Sequence, residues 1–333
     1  GSAHANDEGR ESVLVATSND GGNTWAPAKV AIRPTGPDIG LGRPLMTVVP
    51  GTSGADTILL STWTCHPGVP RGTQCDGVLF SRSNDGGQTY TDPVVVNDPP
   101  AGQNSSQPAM DKDGTVYMTF QRRYTDGPVE LFLAKSADGG KTWTSSLLDR
   151  QIQIGMAYDS AKIVADPLTG ALYTTWADSR TGRFQIFFRK SLDKGLSWGE
   201  RSVLLATDRD ASGSSRSPSI SVAPNGRIDV VYYHTSPAPD RQAFDDVFWN
   251  YSIDGGENFI SRQVNEAPID RNKGYSGPAG AQKELGNHYP PGVSSTDTAA
   301  YIVWSDTRDA DDLTNTQDVV LRKMEVLGAG SPP

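Results

Sequence analysis

The residue types best suited to chemistry recur as one pattern at two places in the chain. The segments Trp176–Arg180 (WADSR) and Trp304–Arg308 (WSDTR) place Trp, Asp and Arg at alternate positions, which lie on one side of an extended strand. An arginine fork grips carboxylates and phosphates through two hydrogen bonds, and an aspartate can act as an acid. Asp178 and Asp306 are therefore either catalytic acids beside ligand-binding arginines or parts of a structural clamp between neighbouring elements. The repetition favours the clamp.

A second repeat in the sequence indicates which secondary-structure elements position these residues. Five segments share the frame S-x-D-x-G-x-(T/S/N)-(W/Y/F): Ser18–Trp25, Ser83–Tyr90, Ser136–Trp143, Ser191–Trp198 and Ser252–Phe259. Their aspartates are Asp20, Asp85, Asp138, Asp193 and Asp254. A period of roughly 50 to 65 residues with strand-like flanks predicts a propeller or another array of small sheets.

Each copy of this repeat predicts a turn that is stabilised from within. Glycine allows positive φ, so the chain can reverse within a few residues. The Asp carboxylate and the Ser or Thr hydroxyl can bond backbone N–H groups of the turn. The terminal aromatic side chain is expected to pack between neighbouring sheets. Because chemistry does not need five copies, we interpret the five aspartates as structural.

The segments between these turns repeat one order of strands. Residues 157–205 illustrate it: strand A (AKIVADP), strand B (ALYTTWADSR), strand C (FQIFFRKS), the turn repeat and strand D (SVLL). The same order runs through Leu45–Asn97, Ser106–Asp149 and Pro218–Val264, whereas Tyr289–Val326 offers only A, B and C. The N-terminus offers C and D strands, and its first ten residues are interpreted as the end of a B–C loop.

The prediction is thus an all-β fold, a six-bladed β-propeller of four-stranded antiparallel blades with an incomplete first blade. The alternative is a five-bladed ring in which the N-terminal D strand completes the last blade. Residues 1–327 are predicted to form a single domain, and residues 328–333 a disordered tail.

This strand order separates two ends of every blade. The A–B and C–D turns lie at one end, with the repeats, while the longer B–C and D–A loops lie at the other and hold all four histidines and most arginines. An arginine-lined mouth on an acidic protein predicts a small anionic ligand such as an acidic sugar, although long loops can also simply collect polar residues. The candidate binding residues are Arg43, His66, Arg122, Arg123, Arg180, His234, His288 and Arg308.

Composition restricts the partners. The formal charge is −9 and the pI is about 5.0, which argues against a broad surface for nucleic acid. No run of 18 apolar residues is present, so no membrane span is predicted. We expect a monomer without cofactor or metal, whose partner is a carbohydrate.

The only two cysteines, Cys65 and Cys75, flank a loop-like segment. A loop-closing disulfide is the favoured interpretation, and it predicts a secreted or cell-surface protein in an oxidising compartment, extracellular or periplasmic. Two free thiols are the alternative. The ligand spacing around His66 is wrong for zinc.

Five Asp boxes on a four-stranded repeat resemble the sialidase (neuraminidase) superfamily, whose members carry BNR or Asp-box repeats. The resemblance covers nearly the whole chain and implies the fold more strongly than the function. It implies three arginines around a substrate carboxylate, a Tyr nucleophile assisted by a Glu, and an Asp as acid or base. The F/Y-R-I-P motif that usually holds the first arginine is absent, and Arg43 in Gly42–Pro44 is the nearest equivalent.

Carried onto this chain, the family pattern points to the long D–A loop before the last blade. Tyr275 or Tyr289 is the candidate nucleophile, with Glu284 as its partner and Asp178 or Asp306 as the acid. A Tyr in a Gly- and Pro-rich loop is also an ordinary packing residue, so that alternative stays open.

Three functions compete at this stage. The first is a secreted sialidase-like exo-glycosidase that acts on terminal acidic sugars of glycans. The second is a non-catalytic glycan-binding or cell-surface propeller, which the missing F/Y-R-I-P motif favours. The third is a polysaccharide lyase on uronic acids, with His66 or His234 as its base.

Overall fold

The computed structural model describes residues 2–7, 10–33, 40–42, 44–51, 54–65, 77–97, 102–105, 107–122, 129–151, 161–204, 212–241, 244–271, 273, 290–309 and 318–326. These residues form antiparallel strands joined by turns, with one short 3-10 helix at Pro239–Arg241. In this part of the chain, no helix is both long and apolar enough to cross a membrane. The chain divides into two compact units, Gly1–Gln151 and Ile152–Pro333.

The first unit holds three sheets. The first sheet has the order β1 (Ser2–Asp7), β2 (Arg10–Val15), β3 (Lys29–Ile32). The second comprises β4 (Gly40–Leu41), β5 (Leu45–Val49), β6 (Thr57–Cys65), β7 (Gly77–Ser83) and β8 (Val94–Val95), with β4 and β5 both paired to β6. The third comprises β9 (Gly102–Ser105), β10 (Ala109–Met110), β11 (Val116–Arg122), β12 (Val129–Ser136) and β13 (Thr144–Gln151), with β9 and β10 both paired to β11.

The second unit also holds three sheets. Its first is β14 (Lys162–Ala165), β15 (Leu172–Asp178), β16 (Gln185–Ser191) and β17 (Ser202–Leu204). Its second is β18 (Ser214–Val222), β19 (Ile228–Thr235), β20 (Phe244–Ser252) and β21 (Ile260–Gln263), and β22 (Ile269–Asp270) pairs with the start of β20. Its third is β23 (Gly292–Ser295), β24 (Ala299–Asp306) and β25 (Asp318–Glu325).

These sheets confirm the predicted fold class, an all-β propeller built from four-stranded antiparallel blades in the order A-B-C-D. Among the described residues, five sheets begin with a strand A, which gives five blades, the alternative count of the sequence analysis. The interpretation of the first residues as a loop is wrong. Ser2–Asp7 form strand β1, which pairs in register with β2 from Ser2↔Val15 to Asp7↔Arg10. The single-domain extent 1–327 stays a prediction.

The Asp boxes close the turn between strands C and D by hydrogen bonds within the turn. In the third box, Asp138 accepts the N–H groups of Lys141 and Thr142 at 3.0 and 2.9 Å and the Thr142 hydroxyl at 2.6 Å. Ser136 Oγ donates to Asp138 at 2.8 Å and accepts the N–H of Gly140 at 2.7 Å. Two of these bonds, from Ser Oγ and from the N–H four positions after the Asp, recur around Asp20, Asp85, Asp193 and Asp254.

The box aromatics pack against the preceding blade, as expected, at most positions. Trp143 meets Phe80 of β7 edge-to-face at 5.2 Å between ring centroids, and Phe259 meets Phe188 of β16 at 5.0 Å. Burial of such rings supplies much of the apolar contact between blades. Trp25 differs from the expectation, because its side chain is 57% exposed.

A buried ion pair links the last two sheets of the second unit. The Arg227 fork holds the Asp229 carboxylate at 3.0 to 3.1 Å, and the same guanidinium donates to the carbonyls of Asp297 and Ala299 at 3.0 Å. Ser295 of β23 donates to Asp229 at 2.6 Å. Both members are almost fully buried, so removing either would leave an uncompensated charge.

We expect the second glycine of a box to resist substitution because it meets the preceding blade. Gly256 has φ +84°, and a Cβ there would lie 2.7 Å from the Phe188 ring. Gly255, its neighbour with φ +71°, has no atom closer than 4.0 Å to such a Cβ. Gly256→Ala should therefore lower the free energy of unfolding by about 2 kcal/mol more than Gly255→Ala. Urea unfolding of both variants measures the difference, and equal losses would contradict this packing role.

We also expect acidic pH to destabilise the protein, because it protonates the carboxylates of the Asp boxes. Hydrogen bonds from Asn258 hold the pKa of Asp254 at about 2, and those from Thr24 and Ser18 hold that of Asp20 at about 2. Carboxylates with a depressed folded pKa stabilise the protein above their unfolded pKa, near 4, and lose that contribution as the pH falls through about 2. The melting temperature, measured from pH 5 to pH 2, should fall across this window. Asp254→Asn should flatten the slope, and an unchanged slope would count against the boxes as its source.

Candidate functional site

The polar residues of the second unit converge at one end of its blades, where strand B ends and strand C begins. We call this the B–C end. Asp178 ends β15, Thr235 ends β19 and Asp306 ends β24, while Asp245 lies at the start of β20. Antiparallel pairing places these positions opposite the Asp boxes, at the other end of each strand. The predicted division of each blade into a box end and a loop end is therefore present in these sheets.

The Asp178–Arg180 pair forms a closed turn within one loop. Asp178 Oδ1 accepts the Arg180 N–H at 2.8 Å, and Oδ2 accepts Arg180 Nε at 2.5 Å. The Arg180 guanidinium lies 5.0 Å above the Phe187 ring, which itself stacks on Trp176 at 5.8 Å. The Arg180 side chain is only 10% exposed and Asp178 is fully buried, so this pair presents little charge to solvent.

Asp306 and Arg308 repeat this turn with a more open arginine. Asp306 accepts the Arg308 N–H at 2.9 Å and its guanidinium at 2.6 and 3.1 Å, and Trp304 Nε1 donates to the same carboxylate at 3.0 Å. Burial acts to raise the pKa of Asp306, but these hydrogen bonds outweigh it and the pKa is lowered. The Arg308 side chain is 37% exposed. Asp306 is thus held ionised as the support of an accessible cation.

Asp245 is the centre of a third cluster, which the sequence analysis missed. Thr235 Oγ1 donates to Asp245 Oδ1 at 2.7 Å, and Arg216 donates to Asp245 Oδ2 and to the Thr235 hydroxyl. Arg271 Nε forms an ion pair with Asp245 Oδ1 at 3.5 Å. The Arg216 side chain is 13% exposed and that of Arg271 28%. The only sequence signal was an acidic pair opening an otherwise apolar C strand (FDDVF).

A hydrogen-bonded contact brings the two more exposed arginines together. The Asp270 N–H donates to Thr307 Oγ1 at 3.0 Å, and that hydroxyl donates to the Asp270 carbonyl at 3.1 Å. Arg271 follows Asp270, and Arg308 follows Thr307. Arg271 and Arg308, whose side chains keep exposed surface, therefore follow two residues that are hydrogen-bonded to each other across neighbouring blades. Asp245 holds the first arginine and Asp306 holds the second.

The buried residues beside this pair are less suited to direct chemistry. Burial raises the pKa of Tyr233, which is 1% exposed, against the opposing effects of the Ser305 backbone and Arg216. His234 is 4% exposed, its Nδ1 lies 2.9 Å from Ser215 Oγ, and its ring meets Phe248 edge-to-face. Both side chains pack the interior of the blade below the B–C end.

The first unit carries Arg122 at the corresponding end of β11. Its guanidinium lies 4.6 Å above the Phe132 ring. Nearby on β12, Glu130 holds Arg150 at 2.9 Å. The other predicted site residues lie outside the described residues: Arg43, His66, Arg123, Tyr275, Glu284, His288 and Tyr289, together with Cys75 and the side chain of Cys65.

The arrangement in the second unit suits the binding of an anion. Three buried carboxylates, on Asp178, Asp245 and Asp306, hold four arginines, and two of these, Arg271 and Arg308, keep exposed surface. Ion pairs with Asp245 and Asp306 hold Arg271 and Arg308 in place before a ligand arrives. Preorganised arginines lose less conformational entropy on binding a carboxylate than free ones do.

Comparison with known proteins shows the fold. No family model and no curated protein matches the sequence. Among solved structures, a Hadza microbial sialidase aligns over 97% of this chain and 61% of its own, with 18% identity and a TM-score of 0.56. A Trypanosoma rangeli sialidase bound to sialic acid aligns over 94% and 49%, with 15% identity and a TM-score of 0.52.

A second kind of carbohydrate enzyme shares this architecture. The Penicillium chrysogenum α-L-arabinanase complexed with arabinobiose aligns over 86% of this chain and 93% of its own, with 16% identity and a TM-score of 0.52. This chain spans about three fifths and about half of the two sialidase chains. Its sheets and these alignments together show the β-propeller fold that the two sialidases and the arabinanase share.

Proposed function

We propose that this protein is a secreted sialidase-like glycoside hydrolase that binds a terminal acidic sugar at the B–C end of its second unit. The observation that carries the proposal is the pairing of Arg271 with Arg308. Their backbones are joined through Asp270 and Thr307, and their side chains keep open surface. An acidic sugar supplies the carboxylate that such a pair would grip.

The charge balance supports a small anion rather than an extended one. The whole chain carries a net charge of −9, so long-range attraction for a polyanion is weak. The guanidinium groups of Arg271 and Arg308 attract an anion only at short range, because buried carboxylates offset much of their charge. A single carboxylate, bound by short-range hydrogen bonds, fits this setting.

The proposed nucleophile comes from the segment between Arg271 and β23. Tyr275 or Tyr289 would attack the anomeric carbon while Glu284 takes the phenol proton, as the resemblance implies. The glycosidic C–O bond breaks in the same step, and the leaving oxygen takes a proton from solvent. Asp178 and Asp306 are proposed as supports for arginine. The lowered pKa of Asp306 favours this role over that of an acid, because an ionised carboxylate has no proton to donate at neutral pH.

A non-catalytic glycan-binding propeller is the second candidate. It is favoured by the arginine pair itself, which can hold an acidic sugar whether or not a nucleophile lies nearby. The lyase alternative gains no support from His234, since a buried imidazole has poor access to a polymer.

We expect hydrolysis of a methylumbelliferyl glycoside of an acidic sugar, tested across a panel that includes sialic and glucuronic acid and their neutral analogues. Arg308→Ala and Arg271→Ala should each raise KM about tenfold or more, since one charged hydrogen-bonded contact contributes about 1.5–3 kcal/mol. Arg262→Ala, on the exposed strand β21 of the same blade, is the matched control and should change nothing. Equal effects in all three variants would sink the proposed binding site.

The same panel, extended by a 4-linked uronate polymer and an array of acidic glycans, separates the candidate functions. Loss of kcat with retained binding in Tyr275→Phe or Tyr289→Phe identifies the nucleophile of a hydrolase. An ultraviolet-absorbing unsaturated product would instead indicate a lyase. Retention on acidic glycans without any product would leave a binding protein.

We expect Asp306→Asn to raise KM while leaving the pH profile of kcat in place. An amide cannot hold the Arg308 guanidinium with the strength of a carboxylate, so the arginine loses its fixed position. Loss of a whole limb of the kcat profile would show that Asp306 acts as the acid. A melting curve for the variant separates either effect from unfolding.

A further inference from the structure

The box end of the first unit contains a groove that is lined in part by an exposed tryptophan, Trp25. It lies between the first Asp box, Ser18–Trp25, and the second blade, and has a volume of about 810 Å³. Its floor includes Met46 and Ile58, and its rim includes Asp56 and Gln88. This groove is at the opposite end of the strands from Arg122, so it is separate from the B–C end of its own unit.

Trp25 is the feature that distinguishes this groove. Its indole Nε1 donates to the Gly22 carbonyl at 3.1 Å, and Trp143 makes the identical bond to Gly140 at 3.1 Å. The two rings are therefore held alike by their own turns. Trp143 packs on Phe80, whereas Trp25 is 57% exposed and borders the groove. The other four box aromatics are all half-buried.

The surroundings of Trp25 define the ligand chemistry. A fixed, exposed indole offers a flat apolar face, and the C–H faces of a pyranose or furanose ring are its natural partner. Around it, Asn19, Asp56 and Gln88 are exposed hydrogen-bonding side chains that match a rim of hydroxyl groups. No lysine or arginine lines the groove within the described residues, and carboxylates do. An acidic sugar would be repelled here, whereas a neutral one would not.

We propose that this groove is a second carbohydrate-binding site, which takes a neutral oligosaccharide stacked on Trp25. It would hold a polymeric or branched glycan at the box end, independently of the chemistry proposed for the B–C end. The Nε1 bond to Gly22 fixes the ring before binding, so little side-chain entropy is lost on stacking.

The test uses the whole protein with its seven tryptophans replaced by 5-fluorotryptophan, and fluorine NMR follows their signals. The signal absent from Trp25→Phe identifies Trp25. Neutral hexasaccharides of arabinose, xylose, glucose, mannose and galactose are added in turn. We expect at least one to shift the Trp25 signal in a saturable way while the buried Trp176 and Trp249 signals stay in place.

Affinity and selectivity then decide the proposal. Trp25→Ala should weaken binding of the active hexasaccharide at least tenfold with an unchanged melting temperature, since the side chain is exposed. Arg308→Ala should leave it unchanged, which keeps this site distinct from the proposed acidic-sugar site. The proposal is overturned if no neutral hexasaccharide shifts the Trp25 signal, or if a hexagalacturonate shifts it equally well.

Discussion

The rest of the structure depends on one interaction, the set of hydrogen bonds that the Asp carboxylate of each box accepts from its own turn. A tight C–D turn exposes backbone N–H groups that no strand can satisfy, and the Asp of each box accepts one or two of them together with a hydroxyl or, in the fifth box, the Asn258 amide. The turn then has a fixed shape. That shape directs the second glycine and the aromatic of the box toward the preceding blade, so a local hydrogen-bonding device also sets the packing of whole sheets.

At the opposite end of the blades in the second unit, aspartates are again important, but here they are buried and need a compensating positive charge. Here Asp178, Asp245 and Asp306 are buried, and each one requires a cation to compensate its charge. Two of the compensating arginines are nearly covered, while Arg271 and Arg308 retain open surface. A structural requirement for charge balance thus fixes the two arginines that we propose as the binding groups for an acidic sugar.

The Trp-x-Asp-x-Arg pattern shows how far sequence reasoning reaches. Its Asp–Arg contact was predicted, because the two residues are close in sequence and alternate along a strand. A clamp between neighbouring blades was expected, whereas the observed hydrogen bonds close a turn inside one loop. One contact that does tie two blades of the second unit is that of the Arg227–Asp229 pair, at the box end, where a short A–B turn gave no sign of it.

The sequence by itself determined the fold class, the order of strands in a blade and the role of the box, because each rests on short-range geometry that recurs five times. It missed strand β1, since six residues with little β propensity become a strand only beside β2. Only the tertiary structure joined Asp270 to Thr307, the residues before Arg271 and Arg308, and left Trp25 exposed while its counterparts are half-buried. Those outcomes depend on which blade lies next to which, and residues far apart in the chain carry no local mark of becoming neighbours.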